Sequence, residues 1–134
     1  MQLNKKLFTI IIPTIWNIEF SFIYTLLNDL NDSIFVGEII LIDNSPLKLS
    51  SDNELLLKRI RKLNHVKQEK NIYVNPAWNL GVALAKYDYL CVLNDDVNTD
   101  WNILNIVYND YFKSYLLVGM IGLHESCYKV KSVE

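Results

Sequence analysis

The apolar positions of this chain fall into two kinds of pattern that take turns along its length. Residues 7–12, LFTIII, form an unbroken β-branched and aromatic run, and Pro13 ends it. A run without alternation fits a strand covered on both faces of a parallel sheet. Phe20, Ile23, Tyr24, Leu27 and Leu30 then recur at helical spacing, which predicts an amphipathic helix over 18–30, broken by Asn31-Asp32-Ser33. EIILID at 38–43 is a second buried strand. Ser51-Asp52 can cap a second helix that runs to residue 63, with Leu56, Ile60 and Leu63 on its buried side. HVKQE at 65–69 is a weaker third strand, and His65 at its start reads as a structural residue far from the carboxyl edge. Asn75-Pro76 supplies an N-cap and a first-turn proline for a helix to residue 86. Residues 87–93 are the fourth strand; Thr99-Asp100 caps a helix with Trp101, Leu104, Tyr108 and Tyr111 on one stripe; a final strand covers 115–123.

Strands and helices that alternate in this way predict an α/β fold: a doubly wound, mostly parallel sheet in three α/β/α layers. Such sheets take ligands outside the carboxyl ends of their strands. Three polar clusters fall there: residues 13–17 after the first strand, Asp43-Asn44-Ser45 after the second, and Asn94-Asp95-Asp96 after the fourth.

The length, 134 residues, suits one domain spanning 1–134, without repeats or linkers. A net charge of −2 and scattered basic residues provide no footprint for nucleic acid. The modest basic cluster over 58–67 reads as the solvated face of a helix. Cys91, inside an apolar strand, and Cys127 build no disulfide framework, which points to a reducing, cytoplasmic setting. The apolar run near the start is interrupted by Pro13 and soon followed by Glu19, so it reads as a buried strand rather than a signal peptide or membrane span.

Two adjacent carboxylates at the end of a buried strand repel each other unless water, a cation or a positive ligand takes up the charge. Asp95-Asp96, beside a ligand crevice, suits a hard divalent cation such as Mg²⁺ or Mn²⁺, which takes oxygen ligands and shares substrate phosphates. The plainer alternative is a solvated loop or a helix cap. Asp43 can accept hydrogen bonds from a base or ribose, or close an Asx turn over Asn44-Ser45. Neither a phosphate loop nor a Gly-x-Gly-x-x-Gly motif is present, so phosphate binding falls more naturally to a metal.

TIIIPTIWN, EIILIDNS and NPAWNLGVALAKYDYLCVLNDDV together resemble the nucleotide-sugar-binding half of a GT-A glycosyltransferase, most similar to family 2. The resemblance runs from Phe8 to about residue 123 and rests on the order and spacing of its motifs. It implies an inverting, metal-dependent transferase with a UDP- or GDP-linked sugar donor and an unknown acceptor. Carried over by position, it implies nucleotide-sugar contacts at Pro13, Thr14, Asp43, Asn79, Gly81, Asn94 and Asp95. Asp96 becomes the principal metal ligand, with Asp95 assisting. Trp78 stands where the family often has arginine, and packing against the sheet is the simpler role for its indole. The family also continues into an acceptor region that supplies a carboxylate general base. Here one helix and one strand are expected after the acidic pair, so this reading expects the acceptor half to be missing or much reduced in the given sequence, whether that is a natural full length or a fragment.

His124-Glu125, after the last strand, is the local candidate for that base, against the simpler reading of a surface pair. Trp16 and Tyr73 flank the crevice and can stack on a base or sugar, although core packing is the commoner role. A non-catalytic nucleotide-sugar-binding or interaction module is the alternative function. A phosphoacceptor receiver fits less well, because its acidic pair belongs where this chain has Pro13-Thr14. A sheet edge that the missing half would cover leaves homodimerisation through that edge as an expected association.

Overall fold

The computed structural model describes residues 7–17, 19–113 and 119–122. Four strands, β1 (Phe8–Thr14), β2 (Val36–Asp43), β3 (Leu63–Lys67) and β4 (Tyr89–Val92), form a sheet in the order β3-β2-β1-β4. Every pairing is parallel. The helices α1 (Ile23–Asp32), α2 (Ser51–Arg59) and α3 (Val74–Leu84) connect successive strands, and α4 (Ile103–Val107) follows β4.

This strand order dictates the layers. From β1 to β2 to β3 the chain steps in one direction, so right-handed crossovers put α1 and α2 on one face. From β3 the chain passes back across to β4, and the same handedness puts α3 on the other face. The two cores obey this division. Ile10, Ile12, Ile39 and Leu41 pack with Leu26, Leu27, Leu30 and Leu56 on one side, joined there by Trp101 and Leu104 of the β4–α4 segment. Ile11, Ile40 and Ile42 pack with Ala77, Trp78 and Leu80 on the other. The register Ile10↔Ile39 and Ile11↔Ile40 keeps each apolar set on its own face. The doubly wound parallel sheet expected from the sequence is the observed fold.

Several boundaries differ, each for a local reason. β1 runs through Pro13 to Thr14, with Pro13 opposite Ile42. Thr14 faces β2, since its carbonyl accepts Asn44 N–H, so Pro13 faces the β4 side, where β4 pairing has already ended. The missing N–H therefore costs no ladder bond. α1 starts at Ile23 rather than residue 18, leaving Phe20 and Phe22 exposed. α2 is capped by Ser50, whose hydroxyl accepts Asn53 N–H, and ends at Arg59, so Leu63 opens β3 instead of closing the helix. The basic cluster is correspondingly split between α2, a turn and β3. Lys62 is half-buried on Ser33 O, and Lys67 lies on a strand.

After α4 the chain makes a π-helical turn, Tyr108–Phe112, closed by Lys113 N–H on Tyr108 O. The extra residue of that turn rotates Tyr111 outward and brings Phe112 against Tyr89 at 5.2 Å between ring centroids. The expected stripe therefore ends on Phe112, not Tyr111. Of the final strand expected over 115–123, residues 119–122 are irregular and the rest lie outside the described residues. Cys91 behaves as a small core hydrophobe, and burial pushes its thiol up to about 12. Among the described residues, no helix is long and apolar enough to cross a membrane.

Candidate functional site

The strand order reverses between β1 and β4, and a crevice opens at such a switch point. A cavity of about 610 Å³ lies there. Its walls are Pro13 and Thr14 at the end of β1 with Ile15 beyond it, Asn44 after β2, and Asn94, Asp95 and Asp96 after β4. Asn71 and residues 73–76, at the start of α3, close it. Three of the expected polar clusters thus meet in one cavity. Among the described residues no lysine, arginine or histidine lines it, and the charged ones that do are two carboxylates.

The acidic segment is held from several sides. Ile11 O accepts Leu93 N–H, and the Trp78 indole N–H donates to Leu93 O at 3.1 Å. Trp78 therefore anchors the end of β4 while packing against the sheet, the simpler of its expected roles. Asp95 O accepts Phe22 N–H, and Thr14 Oγ1 donates to Asp95 Oδ2 at 2.7 Å while accepting Trp16 N–H. Burial pushes the Asp95 carboxyl above its usual range, the Thr14 hydroxyl draws it back, and the charge of Asp96 raises it further. Asp96 is exposed beside it. Among the described residues no third acidic, histidine or cysteine side chain joins the pair to form a ligand cluster, and carboxylate oxygens are the donor type that Mn²⁺ or Mg²⁺ takes.

Asp43 is placed differently. It lies on the α2 face, fully buried at 0 % exposure, and does not line the cavity. Its Oδ1 accepts Ser45 N–H at 3.0 Å, closing the Asx turn. Its Oδ2 is 2.9 Å from His65 Nε2, and Lys67 Nζ approaches Oδ1 at 3.5 Å. Burial alone would raise this carboxyl, but His65, Trp16, the Ser45 N–H and Lys67 outweigh it and hold it below the usual range. The Trp16 indole N–H contributes by proximity, since it falls outside hydrogen-bond geometry and has no other partner among the described residues. Lys67 also donates to Ser45 O and Leu47 O, tying down the β2–α2 loop.

His65 was expected far from the carboxyl edge; it lies one pleat from it, in register with Leu41. The signal was the His-x-Lys spacing, which puts His65 and Lys67 on one face beside a strand ending in aspartate. Asn44, of the polar cluster expected after β2, lines the cavity. It is buried, and its amide donates to Tyr73 O while accepting Ile72 N–H.

Gly81 packs α3 directly on β1: a β-carbon there would lie 2.2 Å from Ile11 Cγ2. Asn79 is exposed on α3, and neither residue lines the cavity. His124 and Glu125 lie outside the described residues. Trp16 and Tyr73 both have positive φ, 61° and 66°. For Tyr73, with ψ −179°, this is a conformation essentially confined to glycine, costing about 1–3 kcal/mol. Trp16 packs at the edge of the α1/α2-side core, whereas Tyr73 is exposed at the cavity.

No family model and no curated protein matches the chain. Among solved structures it is similar to TarS 1–349 of S. aureus, crystallised in complex with UDP, with a TM-score of 0.62 and 16 % identity over 79 % of this chain. The chain spans 33 % of that chain. At this identity the likeness establishes the fold alone, a parallel α/β sheet flanked by helices.

Proposed function

We propose that this chain binds a UDP- or GDP-linked sugar at the β1/β4 switch point, as the donor-binding part of a metal-dependent, inverting, family 2-like glycosyltransferase. The carrying observation is a cavity whose charged lining residues are Asp95 and Asp96, set in a fold shared with a UDP complex. A nucleoside diphosphate is itself anionic, so a divalent cation between it and the two carboxylates reconciles the charges. Asp96 would be the principal ligand of Mn²⁺ or Mg²⁺, with Asp95 assisting directly or through water. When bound, such an ion neutralises the diphosphate and the charge growing on the leaving group.

The chain's own residues position that site. Thr14 fixes the Asp95 carboxylate, and Trp78 fixes the strand end before it. Pro13 and Ile15 give the cavity an apolar floor, and Asn44 orders the loop that enters α3. Asp43 acts from behind, holding the β2 terminus through His65, Lys67 and Ser45. Inversion follows from the family resemblance, and the acceptor is open.

One observation favours the second reading, a nucleotide-sugar-binding module without transfer of its own. Among the described residues the lining offers no base beyond the two carboxylates assigned to the cation. Turnover of UDP- and GDP-sugars, screened with and without manganese, tests the proposal. The expected result is measurable nucleotide binding with weak or absent transfer by this chain alone. Robust transfer would require a base outside the described cavity. His124→Ala and Glu125→Ala then identify it if activity falls, and a partner chain supplies it if the double variant stays active.

A further inference from the structure

We infer that Tyr73 is the stacking surface for the nucleobase of the bound nucleotide, presented by a strained backbone that Asn44 and Asn71 hold in place. This deepens the proposed donor site and rests on it. Asp95 and Asp96 mark where the diphosphate and its cation belong. The rest of the described lining carries no charge, and Asn44, Asn71 and Tyr73 belong to it, where a ligand's uncharged end would lie.

Packing gives no reason for a tyrosine there. The Tyr73 side chain is 72 % exposed and belongs to neither core cluster. Its backbone conformation, φ 66° and ψ −179°, is one that glycine adopts freely and a side chain resists. Three hydrogen bonds from side chains hold it. Asn71 Oδ1 accepts Tyr73 N–H at 2.7 Å, Asn44 Nδ2 donates to Tyr73 O at 3.3 Å, and Asn44 Oδ1 accepts Ile72 N–H at 3.4 Å. Asn44 is 3 % exposed, so a buried amide commits both its ends to this one turn. A glycine would have made the turn without support. The chain carries an aromatic ring here instead, and holds it beside the cavity, where a planar base can lie against it.

Calorimetric titration of manganese-loaded protein with UDP and with inorganic pyrophosphate tests this, on the wild type, Tyr73→Phe and Tyr73→Gly. Losing a base–aromatic stack should weaken UDP binding roughly 5- to 100-fold in Tyr73→Gly. Pyrophosphate binding should be unchanged, Tyr73→Phe should bind UDP as the wild type does, and the melting temperature of Tyr73→Gly should not fall. Unchanged UDP binding in Tyr73→Gly, or equal losses of UDP and pyrophosphate, overturns the stacking role alone. A wild type that binds neither ligand overturns the donor site, and this inference with it.

Discussion

Asp96→Ala is expected to remove the strengthening of nucleotide binding by manganese, weakening UDP binding in manganese by roughly 100-fold, the equivalent of about 3 kcal/mol. Binding measured with chelator present should not change. The reason lies in the division of labour between the two carboxylates. Asp95 is tied to Thr14 and half-buried, whereas Asp96 is exposed at the cavity and available to an ion. Folding should survive, because removing one of two repelling loop carboxylates relieves like-charge repulsion. Circular dichroism verifies the fold, and manganese titration followed by electron spin resonance reads the lost ion site. An Asp96→Ala protein that still binds manganese as the wild type does would remove the carboxylate pair from the account.

Asp43→Ala should be the costliest change to stability, about 3 kcal/mol, because it strips a fully buried carboxylate from its partners. His65 is 23 % exposed and can rehydrate, which keeps the cost at the lower end of the range for a broken buried pair. The same carboxylate shapes the acid limb of stability. Its folded pKa lies below the unfolded reference of 3.8, so the folded state binds fewer protons than the unfolded state there. Its stabilisation is therefore complete above 3.8 and is lost as pH falls through the lower folded value. Urea denaturation followed from neutral to acidic pH should show that loss in the wild type and a flatter acid limb in Asp43→Asn. Identical limbs would mean that the His65 and Lys67 contacts do not persist in solution.

The layer order was legible because buried parallel strands announce themselves. Residues 10–12 and 39–42 are unbroken apolar runs, and 89–93 is another, while the helices between them carry their own period. Asp95 and Asp96 were legible as candidates because they end such a run, and both line the cavity. What the sequence concealed was side-chain commitment across strands. Asp43 looked like a ligand contact, but pairing with β3 brings His65 and Lys67 onto its face, and that register is not encoded in either strand alone. The backbone conformation of Tyr73 and the inward turn of Phe112 were hidden for another reason. A positive φ at tyrosine contradicts its intrinsic preference, and a π turn breaks the helical period from which the stripe was read.

The central claim is that the β1/β4 cavity takes a nucleoside diphosphate through a cation held by Asp95 and Asp96. Calorimetry of the wild-type chain with UDP and with GDP, in manganese and again with chelator, tests it most directly. Saturable binding of at least one nucleotide in manganese, largely lost with chelator, is the result the account predicts. Equal binding with and without the metal, or no binding in either condition, would contradict it.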